Sequence, residues 1–418
     1  MGDGDASLPN PLLGEFWIRP AAAINADIDT LRAAGGVTFH PEPDIPDGYP
    51  LPQGPGAWAL ANFADILHVS KNPEIFSSSR GIVLQDLPPE FVEFFNSMIG
   101  MDDPRHARLR RLVSPGFTPR MLAELDDSVQ EVASTIVDRI IDSDQIDFVT
   151  EVAAALPLKI VCDLMGIPDS SFDFVLEQTN IILGAGDPEY VAETDDIITA
   201  ILLAGQGLAD LMHEVADTKR GGDGTDLTSV LMNAELEDDQ LSPADLASFF
   251  ILLVVAGNET TRNAISWALT FLTENPDQRR LWQADFENLA PQAVEEIVRL
   301  ASPVTYMRRI VTRDTVLGDI EIAEGQKVAM FYLLGNRDPN VFDNPHGFDI
   351  MREQKPHVGF GGPGPHYCLG AHLARREITV MFRELFARVP EIRASGPPDP
   401  LFSSFIHGVK HLPAAVHG

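Results

Sequence analysis

The sequence predicts a mainly α-helical protein with a small β-sheet region, built as a single domain around one long core helix. Three observations predict this. Apolar residues recur at helical spacing through most of the middle of the chain, as in Leu122–Ile141 and Ile201–Ala216. A segment starting at Ser242 keeps an apolar and small-residue pattern to Leu272, a helix of roughly 30 residues and about 45 Å. The β-like pieces are short and cluster in the last third.

Taken in order, the first ten or so residues, MGDGDASLPN, are acidic and poor in apolar residues. They predict a mobile tail over residues 1–15, ahead of a domain spanning 16–418. The tail has neither the basic nor the apolar region of a secretory signal, and Ala6 stands where a myristoylation signal needs Ser or Thr. A cytoplasmic protein is the expectation. The longest apolar run, FFILLVVA at Phe249–Ala256, falls far short of the roughly 20 residues that span a bilayer, so no transmembrane segment is expected. Asp217–Asp226, DTKRGGDGTD, predicts a surface loop. At the long helix, Ser242-Pro-Ala-Asp supplies an N-cap, a proline at the first turn and an acid at the third position, and Asn275-Pro276 ends it. Apolar nearly all round at its centre, this helix should cross the core. Strand-like pieces follow at Arg309–Val311, Ile320–Ile322 and Val328–Tyr332, with a hairpin over Ser403–Leu412 around His407-Gly408.

The chain holds 30 Lys and Arg against 62 Asp and Glu, a net charge of −32. Such a field repels nucleic acid and anionic membrane surfaces, so neither is an expected partner. The exceptions are Arg105–Arg120, with five arginines and no acid, and the pair Arg375 and Arg376. Only two cysteines occur, Cys162 and Cys368, which argues against a disulfide framework and a multi-cysteine zinc site. Cys162 lies in an apolar helical stretch and reads as a small buried hydrophobe.

Cys368 lies instead in GFGGPGPHYCLG, just before an amphipathic helical stretch. Amide N–H groups and the dipole at a helix start favour a thiolate, and the preceding glycines let backbone approach a flat partner. On this loop alone a glycine-rich turn around a core cysteine is as good a reading. A phosphate cradle would want Gly-Lys-Ser/Thr, which is missing, and a cysteine nucleophile would want an oriented His, for which His366 is the only neighbour. In the long helix, AGNETT places small residues at Ala256 and Gly257 and an acid and a hydroxyl at Glu259 and Thr260. A Thr260 bond back to the i−4 carbonyl would bend the helix and open a groove for water. Glu296 and Arg299, at i and i+3, face the same way.

Together these pieces resemble the cytochrome P450 superfamily, over nearly the whole chain and in the family's order: HARLRR, AGNETT, Glu296-x-x-Arg299, NRDP at Asn336–Pro339, FDIMR at Phe348–Arg352 and the cysteine loop. The resemblance implies the fold of that family, with the long helix crossing the core over a haem b cofactor. It implies that Cys368 is the axial ligand of the haem iron, with Phe360, Gly362 and Gly370 in its loop. His106, Arg110, Arg309 and His366 match the propionate contacts, and Ala256 and Gly257 the oxygen-binding groove. Glu259 and Thr260 match the acid–alcohol pair, and Glu296, Arg299 and Arg352 the ion-pair network behind the haem. The usual aromatic seven residues before the cysteine is here Gly361, with Phe360 one residue earlier. The chain looks most like the mycobacterial ω-hydroxylases of methyl-branched lipids, which implies hydroxylation of a terminal methyl of branched lipids, isoprenoids or sterol side chains. Phe95, Leu183, Val255, Val304 and Phe405 are the expected apolar pocket.

The resemblance also implies O2 as co-substrate, two electrons from a ferredoxin and its reductase docked on the arginine cluster, and a monomer. Peroxide-driven or isomerase chemistry, and a haem sensor or carrier without turnover, stand as alternatives. The intact Glu259–Thr260 pair favours the monooxygenase.

Overall fold

A computed structural model describes residues 8–45, 51–118, 121, 125–184, 187–191, 196–233, 241–353 and 355–418. The strands in chain order are β1 (Val37–His40), β2 (Ala57–Leu60), β3 (Phe76–Ser77), β4 (Gln145–Asp147), β5 (Tyr306–Val311) and β6 (Thr315–Leu317). They continue with β7 (Ile320–Ile322), β8 (Lys327–Phe331), β9 (Arg393–Ala394), β10 (Asp399–Pro400), β11 (Val409–His411) and β12 (Pro413–Ala415). The helices that matter below are α1 (Phe63–Lys71), α2 (Pro89–Asn96), α3 (Arg105–Val113), α4 (Asp126–Ile140) and α5 (Ala155–Met165). After them come α6 (Phe172–Gly184), α7 (Ile197–Lys219), α8 (Pro243–Glu274), α9 (Phe286–Ala301) and α10 (Ala371–Arg388).

The chain packs as two compact units. The first, Met1–Ala107, Glu295–Cys368 and Pro400–Gly408, is organised by a sheet in the order β1-β2-β8-β5-β3. In it β1 runs antiparallel to β2, β2 parallel to β8, and β8 antiparallel to β5. Strand β8, KVAMF, is buried at every residue, as expected for a central strand covered on both faces. Its period-2 alternation divides the core: Ala329 and Phe331 pack with Leu12, Trp17 and Tyr306, while Val328 and Met330 pack with Phe63, Phe76 and Phe342. Of the tail expected over 1–15, residues 1–7 lie outside the described residues. Leu12 is fully buried, and Trp17 donates to the Pro11 carbonyl at 2.9 Å.

Three strands of this sheet come from the first 80 residues, which corrects the expectation that strands cluster in the last third. Strands of two to four residues lack enough periodicity to stand out, and β2 gains its partner β8 across a long chain separation. Val328–Tyr332 also ends one residue early, because Tyr332 opens a short helical turn.

Buried charge shapes the segment leading to α2. Arg308, fully buried on β5, donates to the carbonyls of Arg80, Gly81, Leu84 and Gln85, and to Asp86 at 2.8 Å. Lys327 on β8 donates to Glu42 at 2.7 Å and to the Leu84 carbonyl at 2.8 Å, and pairs with Asp86 at 2.9 Å. Residues 80–86 therefore wind around two cations rather than forming a regular element.

The second unit, Arg108–Val294, Leu369–Asp399 and Val409–Gly418, is built on α8. Ser242 Oγ accepts from Asp245 N at 3.0 Å, Pro243 follows, and Asn275 closes the C-terminus by donating to the Phe271 carbonyl at 2.8 Å. The capping signals in the sequence thus set both ends of the 32-residue helix. By length and composition α8 would pass as a membrane span, but most of its side chains are buried against α5, α6, α7 and α10. A small sheet, β4-β12-β9, completes this unit.

Arg308→Met should lower stability by about 3 kcal/mol, because it strands buried carbonyls and leaves Asp86 with one cation instead of two. Denaturant unfolding of the two proteins checks this; an unchanged midpoint would remove Arg308 as the organiser of residues 80–86.

Candidate active site

The cysteine loop starts against the last turns of α9, where Gly359 approaches the Val298 carbonyl. Glu296 and Arg299 on α9 meet through two hydrogen bonds, Nε to Oε2 at 2.7 Å and Nη2 to Oε1 at 2.8 Å. Arg299 also donates to the carbonyls of Asn336, Pro345 and Gly347. Arg352 reaches the same Glu296 carboxylate at 3.2 Å and donates to the carbonyls of Asn344 and Gly347. The structure therefore brings together all three residues of the network expected from the resemblance. Glu296 and Arg299 are 4% and 1% exposed, so the pair is desolvated and its bonds act at low dielectric.

From this anchor the chain passes to Gly359–Gly370. The glycines here also answer to the packing of the loop on its neighbours. A Cβ on Gly359 would lie 2.7 Å from the Val298 carbonyl, one on Gly362 2.7 Å from Ser70 Oγ, and one on Gly364 2.2 Å from the Ser70 carbonyl. They let the loop seat against α9 and α1. Only at Gly370 does the added atom meet nothing within 4 Å. Gly361 has φ +83°, a backbone state that side chains rarely adopt. That accounts for the aromatic standing at 360. Phe360 closes the loop with its carbonyl, which accepts from Cys368 N at 3.0 Å. Cys368 is exposed, three residues ahead of the first residue of α10.

The residues assigned to propionates are placed as follows. Arg309 on β5 is 4% exposed and donates to the Arg308 carbonyl at 2.7 Å, with no ion-pair partner among the described residues. Burial lowers its pKa, partly offset by Tyr332 and Asp102. His106, at the start of α3, is 2% exposed. Its ring lies 4.2 Å from that of His366, whose Nε2 is 3.2 Å from Ser78 Oγ. Arg110 is half-buried one turn further along α3. A buried guanidinium bonded to a single carbonyl has donors to offer an anion, and an exposed thiol in a loop closed by its own backbone offers a soft donor. This donor set fits a haem: propionates for the cations and iron for the sulfur.

In the second unit, Ala256 is exposed at the middle of the otherwise buried α8, with Val255 and Thr260 half-buried beside it. Thr260 Oγ1 donates to the Ala256 carbonyl at 2.7 Å, the back-bond the sequence predicted. Gly257 faces elsewhere: a Cβ there would lie 2.9 Å from Val161 Cγ2, so its smallness serves the packing of α8 on α5. Glu259 is buried, ion-paired with Arg262, and accepts from Asn263 Nδ2 at 2.9 Å. Arg262 in turn donates to Asn180 Oδ1 on α6 at 3.0 Å.

Sequence reasoning missed Glu377 on α10. It is buried, hydrogen-bonded by Thr261, and burial pushes its pKa up to about 8. The available signal was an acid four residues after Leu373 on an apolar helix face.

A sequence profile of the Cytochrome P450 family matches residues 205–389. Over 402 residues, 96% of this chain and 92% of its counterpart, the chain is 44% identical to the methyl-branched lipid omega-hydroxylase of Mycobacterium tuberculosis. The chain belongs to the cytochrome P450 family. It is 37% identical to the steroid C26-monooxygenase of Rhodococcus jostii over 91% of this chain and 79% of that one. Among solved structures, a Mycobacterium marinum P450 in complex with pseudoionone superposes with a TM-score of 0.90, at 39% identity and 96% and 97% coverage. As a P450 the chain is a haem-iron monooxygenase that hydroxylates hydrophobic substrates with O2 and electrons from redox partners.

Gly361→Phe, made together with Phe360→Gly to restore the usual spacing, should cost about 1–3 kcal/mol through the positive φ at 361. The paired melting curves of haem-loaded proteins check this. A variant as stable as the parent would mean that φ does not dictate where the aromatic stands.

Proposed function

We propose that this P450 hydroxylates the terminal methyl of methyl-branched lipids, isoprenoids or sterol side chains, using haem b and electrons from a ferredoxin and its reductase. The observation that carries the substrate class is the 44% identity, over nearly the full length of both chains, to an enzyme named for that reaction. The steroid C26-monooxygenase relative points to side-chain oxidation as well.

Bound at Cys368, haem iron with a thiolate ligand would supply the activation of O2 and the attack on a C–H bond. The chain's own residues would do the rest. Arg309, His106, His366 and Arg110 would contact the propionates. Thr260 would hold a water or oxygen atom with its hydroxyl, and Glu259, one residue earlier on the same turn, would relay protons through water. The half-buried apolar side chains Phe95, Leu183, Val255, Val304 and Phe405 would contact substrate. Val304 and Phe405 already have protein neighbours. Val304 bridges to Ile406, and the Phe405 ring is 5.4 Å from that of Tyr306.

For the electron donor, Arg108 and Arg111 on α3 are exposed on an otherwise acidic chain. They would form the docking face for an acidic ferredoxin. Arg376 contributes less than its sequence position suggested, since Asp126 pairs with it at 2.8 Å.

The direct test incubates the haem-loaded protein with ferredoxin, reductase and a panel of branched fatty acids, isoprenoids and sterols. Soret shifts report binding, and mass spectrometry locates the hydroxyl. Terminal hydroxylation is expected; products oxidised only at internal carbons would overturn the assignment. Thr260→Ala should lower product per electron roughly tenfold, a fraction of the 10²–10⁴ that a positioned proton donor contributes, with peroxide rising to match. Separately, reversing Arg108 and Arg111 to Glu should slow reduction by ferredoxin and flatten its salt dependence. Rates that keep the parent's salt dependence would place the docking face elsewhere.

A further inference from the structure

The three residues of β11 join two places that the catalytic reading leaves separate. Val409 N donates to Asn263 Oδ1 at 3.0 Å, and Asn263 Nδ2 donates to Glu259 Oε1 at 2.9 Å. Asn263 is fully buried, so its amide is held at both ends. The next two side chains hold residues 187–191, between α6 and α7. Lys410 lies 3.2 Å from both Asp187 and Glu189, and 3.6 Å from Asp399. His411 Nδ1 is 2.5 Å from Asp147 Oδ2 on β4, and its Nε2 is 2.9 Å from Glu189 Oε1. From its other end this segment packs the Tyr190 ring on α6, where a Cβ on Gly184 would come within 2.2 Å of it.

A neutral imidazole carries one N–H and cannot donate to two carboxylates. With Asp147 on one nitrogen and Glu189 on the other, only the imidazolium satisfies both. The surrounding charge sharpens this. His411 and Lys410 face Asp147, Asp187, Glu189 and Asp399, and Glu151 accepts from Asp147 N at 3.0 Å. When the proton on His411 passes to solvent, one N–H···O contact becomes a lone pair facing a carboxylate, and one cation is left among these acids.

We propose that His411 is a cationic latch that fastens residues 187–191 to β11, and that β11 passes the state of this latch to Glu259 through Asn263. The second half rests on the reading of Glu259 as the proton-delivering acid. His411 is thereby a positioning residue, acting through Asn263 and touching neither substrate nor cofactor. The hydrogen bonds to Asp147 and then Glu189 raise the pKa of His411, so the latch is closed below the ordinary histidine value near 6.5. It opens as pH rises through the raised value.

Hydrogen–deuterium exchange of the amides of residues 187–191 in the haem-loaded full chain tests the latch, with rates corrected for intrinsic pH dependence. Near pH 6, His411→Gln and Glu189→Gln should each exchange roughly fivefold to tenfold faster than the parent, and near pH 9 the ratio should fall towards one. A ratio near one at pH 6, or the same excess at both pH values, overturns the latch. Product per electron near pH 6 tests the connection, with Glu259→Gln as reference. His411→Gln should lose about twofold or more of it. If Glu259→Gln loses yield and His411→Gln does not, the link from β11 to Glu259 is overturned. If Glu259→Gln keeps full yield, the reading of Glu259 fails, while the exchange ratio still decides the latch.

Discussion

The guanidinium of Arg299 is the constraint on which the cysteine loop depends. Residues 336–352 form no regular element long enough to satisfy their own carbonyls, and those of Asn336, Pro345 and Gly347 converge on this one cation. Asn336 extends the hold, accepting from Val358 N at 2.8 Å and donating to Ser302 Oγ at 2.9 Å. Val358 is the residue immediately before the glycine-rich loop. A buried ion pair of this kind contributes little net stability, since desolvation offsets attraction. What it does is select one path for an irregular backbone, and so fix where Cys368 emerges.

The same device recurs within that unit. Arg308 gathers the carbonyls of residues 80–85, and Arg337, whose pKa burial lowers to about 9, donates to the carbonyls of Leu300 and Leu333. In a chain with net charge −32 these cations are buried beside main-chain oxygens instead of covering the surface. Guanidinium suits the task, because its five donors lie in a fixed fork and it stays charged when desolvated. Arg309 differs in number: among the described residues it is buried with one carbonyl, where Arg299, Arg308 and Arg337 each gather two or more.

Features with a local cause were legible in the sequence. Ser242, Pro243 and Asp245 specify the start of α8, Asn275 and Pro276 its end, and the i, i+3 spacing of Glu296 and Arg299 their ion pair. The back-bond of Thr260 is equally local. What could not be read are the consequences of distant pairing. Strands of two to four residues became a sheet only because β8 lies between β2 and β5. The partners of Arg308 lie more than 200 residues away. The loop glycines were legible as necessary, but not their approach to Ser70 and Val298, which are remote in sequence.

That distinction bears on Glu259. Sequence places it beside Thr260 and says nothing of what holds its carboxylate. The structure commits one oxygen to Asn263 and the other to Arg262, which is itself tied to Asn180. A carboxylate so bracketed, at 1% exposure, is free to move only when one bracket loosens. Both brackets end on segments outside α8, on α6 at Asn180 and on β11 at Val409. The position of the Glu259 carboxylate is therefore governed by how tightly those two elements are held. On the role proposed for Glu259, the framework around its carboxylate decides when it can pass a proton.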